Sequence, residues 1–267
     1  MRNYRLINSA LLGMLFLIAS SAGFAQATRT WISGVGDDAN PCSRTAPCKT
    51  FPGAISKTAS GGIIDVLDPG GFGGVTITKP ITLEAIGTIG GILVSGTNGI
   101  VVNTAGATDT VVLRGLSIDG IGTGLAGVKV LAVGKLLIEH CTIQNFTVDG
   151  VDFEPSTSNA KLLVSDSTLN NKVNGSNNAA AIYVQATGAM ASIDRARLGQ
   201  NNVGLFVRNG TASVRQSSLS GNTLNNIRAD STGTVRVNVD NSLISDSTAG
   251  GGIFAHLSTA SVSISNS

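Results

Sequence analysis

Short runs of alternating hydrophobic and polar residues recur along most of the chain. Residues 191–208 and 212–230 each contain three runs of the type apolar-x-apolar, separated by Gly, Asn, Asp and Ser. Similar copies occupy residues 136–153, 162–184 and 237–255. Alternation with a period of two is typical of β-strands that bury one face. The pattern therefore predicts three short strands in every repeat, joined by turns.

One mostly small residue marks the same point of each repeat. Consecutive markers are 21 to 29 residues apart, most often 25. A repeat of this length built from strands indicates a solenoid whose repeats stack and share one core. Three strands per repeat, each pairing with its equivalent in the next, predict an all-β right-handed parallel β-helix. The markers, expected at the tight bend between the second and third strands, are Leu116, Cys141, Ser167, Ala196, Ser217, Ser242 and Ser267.

The region before the regular repeats is predicted to form a cap. Residues 28–62 should contain a lead-in strand, a turn-rich loop and a short helix at 50–58 with Thr50 as its N-cap. A stack of strands leaves apolar core and unpaired backbone at its end, so a helix there would cover both. We expect the first strand of the β-helix at 63–67, and the β-helix itself at 63–267.

This organisation resembles the right-handed β-helix (pectin-lyase-like) superfamily from residue 31 to the end of the chain. The most specific part is the opening at residues 33–83, SGVGDDANPCSRTAPCKTFPGAISKTASGGIIDVLDPGGFGGVTITKPITL. In that family such an opening has an extended lead-in, a short helix that plugs the base of the coil, and the first strands. The repeats match the general pattern of the family and no single enzyme subfamily.

The first residues are predicted to be a secretory signal peptide. Arg2 and Arg5 precede an apolar run at residues 11–19, and small residues follow up to Ala27. This arrangement is typical of an exported protein, with cleavage after Ala27. The run is shorter than the roughly 20 residues of a membrane span, and no other segment is long enough. The predicted location is therefore extracellular or periplasmic.

The charge balance argues against nucleic acid as a partner. The whole chain has 18 basic and 16 acidic residues, and both basic residues of the signal peptide are lost on cleavage. The mature chain would therefore carry no net charge, whereas proteins that bind phosphate backbones need a basic surface.

Cys42 and Cys48 lie in one loop, NPCSRTAPCK, and are predicted to form a disulfide because the compartment of an exported protein is oxidising. A metal pair is the alternative, but no second Cys or His pair lies nearby. The same loop contains Asp37, Asp38 and Asn40, whose side chains either form Asx turns or bind Ca²⁺. We favour the turns and expect no metal or other cofactor.

The strand after the Asn-rich turn of each repeat has the form G-I-x-V-x, and its alternate residues should point to solvent. They form two columns, which we call the stripe. The stripe consists of Val101, Lys129, Asp152, Tyr183, Phe206, Arg228 and Phe254 in the first column, and Asn103, Leu131, Glu154, Gln185, Arg208, Asp230 and His256 in the second.

The stripe is the predicted ligand-binding surface. In β-helix enzymes similar to this chain, the substrate groove runs along this sheet. Exposed rings beside charged side chains suit a polysaccharide, because sugars stack on rings and hydrogen-bond to charges. An ordinary solvated sheet face is the alternative. The ligand-binding candidates are Lys129, Tyr183, Gln185, Phe206, Asp230, Phe254 and His256.

A catalytic role for the stripe is an alternative to binding alone. Asp152 and Glu154 lie two residues apart on one strand, roughly 7 Å, within the spacing of an inverting glycosidase pair. Arg208 and Arg228 are candidates for neutralising a sugar carboxylate during elimination. However, the chain lacks the paired-Asp and Gly-His-Gly motifs of galacturonases and the Arg-x-Pro-x-x-Arg run of pectate lyases.

Three functions follow from these patterns. The leading hypothesis is a non-catalytic exported protein whose sheet face binds a polysaccharide, a cell-surface glycan or a protein. The second is a polysaccharide lyase or glycoside hydrolase that acts on the same face. The third is a structural stalk that self-associates through its C-terminal end, because residues 261–267 reach the next marker without a cap.

Overall fold

The computed structural model describes residues 26–171, 179–230, 233–256 and 259–267. Nearly all of the predicted signal peptide lies outside the described residues, so it stays a prediction. No helix within the described ranges is long and apolar enough to cross a membrane. The elements are β1 (Ala27–Ile32), α1 (Phe51–Ile55), β2 (Thr58–Val66), β3 (Gly70–Gly71), β4 (Val75–Ile77), β5 (Ile81–Glu84), β6 (Gly90–Leu93), β7 (Ile100–Asn103), β8 (Thr110–Arg114), β9 (Leu116–Ala132), β10 (Lys135–Glu139), β11 (Thr142–Phe153), β12 (Lys161–Ser165), β13 (Thr168–Asn170), β14 (Ala180–Asp194), β15 (Arg197–Gly199), β16 (Val203–Arg215), β17 (Ser218–Ser220), β18 (Asn225–Asp230), β19 (Val235–Asp240), β20 (Leu243–Ser245), β21 (Ile253–His256) and β22 (Ala260–Ser265).

The strands form a parallel β-helix with three faces, as the repeat predicts. Face A contains β4, β7, the ends of β9 and β11, the starts of β14 and β16, and then β18 and β21. Face B runs from β1 through β2, β5, β8, β10 and β12 to the ends of β14 and β16, β19 and β22. Face C contains the remaining short strands, from β3 to β20. The alternation with a period of two in the sequence arises because every second side chain of a strand, the aliphatic one, points into the interior of the coil.

The N-terminal cap is present as predicted, although the first coil begins earlier than expected. Thr50 is the N-cap of α1, and its hydroxyl accepts a hydrogen bond from Gly53 N at 3.0 Å. Phe51 is fully buried and packs edge-on against Phe72, with ring centroids 5.9 Å apart. Strand β2 begins at Thr58 rather than at residue 63. Thr58 pairs with Ala27 of the lead-in strand β1, and the register then shifts so that Arg29 pairs with Ile63.

The predicted disulfide joins Cys42 and Cys48 in the loop between β1 and α1. In the same loop, Asp38 accepts hydrogen bonds from the backbone N–H of Lys49 and of Thr50 at 2.8 and 2.9 Å. Asp37 accepts from Ala39 N at 2.9 Å, as in an Asx turn. These contacts support the turn interpretation for Asp37 and Asp38, and the calcium alternative stays untested.

The marker residues form a ladder of hydrogen bonds at the bend between faces B and C. Ser217 Oγ accepts from Ala196 N at 3.1 Å and donates to the carbonyl of Arg215 at 2.7 Å. Ser242 repeats both bonds one coil later. The residue before each marker has a positive φ, including Gln216 at 47° and Asn241 at 47°. The bend therefore needs a left-handed residue followed by a small one, which explains the period seen in the sequence.

Replacing Ser217 with Ala tests this ladder. We expect Ser217→Ala to lower the free energy of unfolding by about 1–2 kcal/mol, because Ala196 N and the carbonyl of Arg215 both lose a buried partner. Chemical denaturation followed by circular dichroism would measure it. The neighbouring Ser218→Ala is the control, since the Ser218 hydroxyl has only a 3.4 Å contact to Ser220 on face C. Equal effects of the two variants would contradict a stabilising ladder.

A second ladder, of asparagines, lies inside the bend between faces C and A. Phe146 N donates to Asn171 Oδ1 at 3.1 Å, Asn171 N to Asn201 Oδ1 at 2.8 Å, and Asn201 N to Asn222 Oδ1 at 3.0 Å. Asn201 and Asn222 are fully or almost fully buried. The sequence indicates only an Asn-rich turn here, and the structure shows that these side chains satisfy buried backbone groups. The ladder fixes the path of the chain as it enters face A.

Candidate functional site

Face A carries the predicted stripe, and the first column is in register along its whole length. Lys129 pairs with Asp152, Asp152 with Tyr183, Tyr183 with Phe206, and the series continues through Arg228 to Phe254. The second column is interrupted. Pairing shifts by one residue after Val102 and after Val184, so Asn103 faces Ala132 and Gln185 faces Asn209. The side chains of the stripe therefore form local groups instead of two uniform rows.

The first group, which we call the lysine cluster, consists of Lys129, Asp149, Asp152 and Glu154. Lys129 Nζ donates to Asp152 Oδ2 at 2.5 Å and to Glu154 Oε2 at 2.7 Å. The predicted acid/base pair thus converges on a single ammonium nitrogen. Lys129 fills the space in which an inverting hydrolase holds its attacking water. Asp152 is also only 6% exposed, which corrects the expectation that it faces solvent.

Sequence reasoning missed Asp149, three residues before Asp152. Asp149 is 6% exposed, and its Oδ1 accepts a hydrogen bond from Ala180 N at 2.7 Å. Burial is the main cause that raises the pKa of Asp149 to about 7, and the negative charges of Asp152 and Glu154 add to it. The hydrogen bond from Ala180 N lowers this pKa but does not offset the rise. The signal was available in the repeat, because the positions equivalent to Asp149 in neighbouring coils are Ala126, Ala180 and Val203. A carboxyl group in an apolar column is unusual.

Within the lysine cluster, Lys129 keeps its positive charge. Burial opposes the charge on Lys129, but its hydrogen bonds and ion pairs with Asp152 and Glu154 outweigh burial and raise the pKa of the ammonium. Burial also raises the pKa of Asp152, and Lys129 counteracts part of that rise. Lys129 is therefore a stable cation near neutral pH and not a free base.

The middle of the stripe is packed rather than open. Phe206, predicted to be an exposed ring, is only 4% exposed. It meets Tyr183 edge-on at a centroid distance of 5.2 Å and packs on Ala180 and Val203 outside the main core. The guanidinium of Arg228 covers its other side, 4.8 Å from the ring centroid. Phe206 is thus a packing residue of face A, and its removal would test stability rather than ligand binding.

Tyr183 connects the middle of the stripe to its second column. Its hydroxyl donates a hydrogen bond to Gln185 Oε1. Burial raises the pKa of Tyr183, while its hydrogen bond with Arg208 opposes the rise. Arg208 Nε is buried and has no hydrogen-bond partner among the described residues. Gln185 and Arg208 therefore belong to one polar group with Tyr183, between the lysine cluster and the end of the stripe.

The last group, which we call the Phe254 platform, consists of Arg228, Asp230, Phe254 and His256. Phe254 is 40% exposed and stacks on His256, with ring centroids 5.8 Å apart and an interplanar angle of 20°. Arg228 lies 5.5 Å from the centroid of Phe254 and donates to Asp230 Oδ2 at 2.8 Å. Asp230 Oδ1 lies 3.2 Å from His256 Nδ1. Four predicted site residues are therefore brought together around an exposed aromatic surface.

The hydrogen bond from Arg228 is the main cause that lowers the pKa of Asp230, and contact with His256 adds to it. Asp230 is therefore an anion that aligns both neighbours. Stacked flat rings with a carboxylate and a guanidinium at their edge can bind a sugar ring by its C–H face and its hydroxyls. The structure leaves the catalytic assignment of Asp152, Glu154, Arg208 and Arg228 a prediction.

Comparison with solved structures identifies the fold. The chain is similar to the crystal structure of pectate lyase Pel9A, with a TM-score of 0.64 and 16% sequence identity. The match covers 90% of this chain and 79% of that one. The chain thus has a parallel β-helix fold similar to that of this pectate lyase, which confirms the predicted fold class and, for the architecture alone, the resemblance seen in the sequence. At this identity the likeness shows the fold alone.

Two further comparisons gave no match. No protein-family model matches the chain, and no curated protein matches it. The function must therefore be argued from the groups on face A.

Proposed function

We propose that this chain is an exported β-helix protein that binds a polysaccharide or cell-surface glycan along face A without cleaving it. The Phe254 platform is the observation that carries the proposal. It exposes a stacked Phe–His pair with fixed hydrogen-bonding groups at its edge. Such an arrangement is common where one side of a ligand is apolar and its rim is polar.

The rest of face A supports binding rather than catalysis. Lys129 pairs with both Asp152 and Glu154 and occupies the gap between the predicted acid and base. The rings in the middle of the stripe are packed against each other, so they supply a rigid base for the platform. A rigid surface loses little conformational entropy when it binds.

Replacing Phe254 with Ala tests the proposal directly. We expect Phe254→Ala to weaken retention of the bound glycan about fivefold to tenfold, because stacking on an aromatic ring contributes about 1 kcal/mol. Affinity electrophoresis in gels containing single polysaccharides would measure the loss, with circular dichroism to show an unchanged fold. Leu243→Ala is a matched control, since Leu243 is also an exposed apolar residue of the last coils but lies on face C. Equal retention of wild type and Phe254→Ala would contradict the platform.

A polysaccharide lyase or hydrolase is the second candidate function. It is favoured by the convergence of three carboxyl groups and one ammonium at the lysine cluster, where Glu154 remains one-third exposed. Release of new reducing ends from acidic and neutral polysaccharides tests both reactions, because each generates such ends. Cleavage by the wild type that is lost in Glu154→Gln would replace the binding proposal with this one. Self-association through the C-terminal end and export through the signal peptide stay predictions.

A further inference from the structure

A small pocket adjoins the second column of the stripe. It lies between the loop that follows β11 and the bend inside β14 that leads from face A to face B. Residues 155–158 form one wall, residues 185–187 form the other, and Asn209 of β16 closes the end. Its volume is about 330 Å³. That is at the small end of ligand pockets, which range from about 300 to 1,000 Å³. The space suits one sugar ring rather than a chain.

The lining of the pocket is polar and carries no charged side chain. Thr157, Ser158 and Thr187 contribute hydroxyl groups that make no hydrogen bond to another described residue. Gln185 Oε1 accepts a hydrogen bond from the Tyr183 hydroxyl, so the amide N–H₂ group of Gln185 can donate to a different partner. Asn209 adds a second carboxamide. The pocket therefore offers donors and acceptors together.

The lining also includes two apolar residues, Pro155 and Ala186. A sugar has C–H groups on its ring faces and hydroxyls around its edge, and each hydroxyl both donates and accepts. Carboxamides match neighbouring hydroxyls because each carries two donors and an acceptor. A carboxylate would gain no cationic partner from this lining and would still lose water on entry.

We propose that this pocket binds one uncharged monosaccharide unit of the glycan, as a branch or chain end. The inference rests on the proposed function and adds a substrate class to it: the unit bound here is a neutral sugar and not a uronate. Gln185 connects the pocket to the stripe through Tyr183, and Glu154 immediately precedes the pocket wall. A glycan lying on face A would therefore reach the pocket without leaving the sheet.

Two substitutions test the pocket without removing packing. Thr187→Val deletes one hydroxyl at nearly constant volume, and Gln185→Glu keeps an acceptor for Tyr183 but replaces the amide donor with a charge. We expect Thr187→Val to weaken retention by an uncharged galactan about threefold to tenfold, and Gln185→Glu at least tenfold. Retention of Thr187→Val by polygalacturonate should change less than twofold, because this variant alters neither the charge nor the stripe. Thr168→Val on face C and Asn238→Asp on face B are the matched controls, and both should behave as wild type.

A second measurement distinguishes binding in the pocket from binding on the Phe254 platform. Saturation-transfer NMR with free galactose, glucose and xylose should give signals with the wild type and with Phe254→Ala, and weaker signals with Thr187→Val. Loss of galactan retention in Phe254→Ala but not in the two pocket variants would overturn the pocket and leave the platform intact. Absence of monosaccharide signals from the wild type would overturn it as well. Monosaccharide signals without retention of any polysaccharide would support the pocket and contradict the platform.

Discussion

Lys129→Met is expected to lower the free energy of unfolding by about 3 kcal/mol at pH 7. The substitution keeps the length of the side chain but removes the cation that binds both Asp152 and Glu154. Removing one partner of a buried ion pair costs roughly 3–5 kcal/mol because the other charge stays buried without compensation. We expect the low end of that range, since Glu154 keeps a third of its surface in water while Asp152 has almost none.

The pH dependence of the free energy of unfolding distinguishes the unpaired buried charge from a simple loss of packing. Without Lys129, the buried carboxyl groups can avoid the penalty by taking up protons. The difference between Lys129→Met and wild type should therefore shrink as the pH falls from 7 to 4. Urea denaturation at each pH measures it, and Lys161→Met on the exposed side of face B controls for the change in net charge. A loss of stability that is the same at pH 4 and pH 7 would contradict an electrostatic role.

The fold was predictable because one physical constraint repeats in every coil. The marker residues predict a bend that requires a residue with a positive φ followed by a small residue, as at Gln216 and Ser217. The alternation of aliphatic residues fixes which side chains enter the coil, so the first column of the stripe was also predictable from Lys129 to Phe254. Local periodicity contains this information and needs no knowledge of distant contacts.

The candidate site was predictable only in part, because its details depend on irregular positions. The pairing of neighbouring strands shifts by one residue after Val102 and after Val184, which displaces the residues of the second column from one another. No residue type in the sequence predicts these shifts. An outward direction also does not guarantee exposure. Phe206 points away from the coil, yet Tyr183 and Arg228 cover it. Exposure is set by the lengths of neighbouring side chains in adjacent coils, which alternation alone does not encode.

The two parts of face A differ in what they do for the protein. In the lysine cluster, the carboxyl groups of Asp149 and Asp152 are buried and accept from Ala180 N and Lys129, so their effects should show in stability. In the Phe254 platform, the rings are exposed and the charged groups lie at their edge, so the effects should show in binding. Substitutions in the two clusters should therefore change different measurements.

The largest stabilising effect is expected from Asp149→Asn. The folded state holds the pKa of Asp149 at about 7, whereas the usual value is 3.8. Between these two pH values the folded protein retains a proton that the unfolded chain has released, so the stability of the wild type falls as the pH rises from 4 to 7. Each unit of pKa difference corresponds to about 1.4 kcal/mol, so ionisation of this buried group costs about 4 kcal/mol above pH 7.

Asparagine resembles the protonated acid and keeps the oxygen that accepts from Ala180 N. The two proteins should therefore unfold with similar free energies at pH 4, and Asp149→Asn should become the more stable by about 4 kcal/mol at pH 8. Denaturation series from pH 4 to pH 8 measure the difference, and Asp246→Asn at an exposed turn controls for the lost charge. If the variant is instead less stable at pH 8, then Asp149 contributes a favourable interaction with Lys129 that exceeds the cost of its burial. The sign of the difference in the free energy of unfolding at pH 8 therefore shows whether the ionised Asp149 destabilises the fold or stabilises it through Lys129.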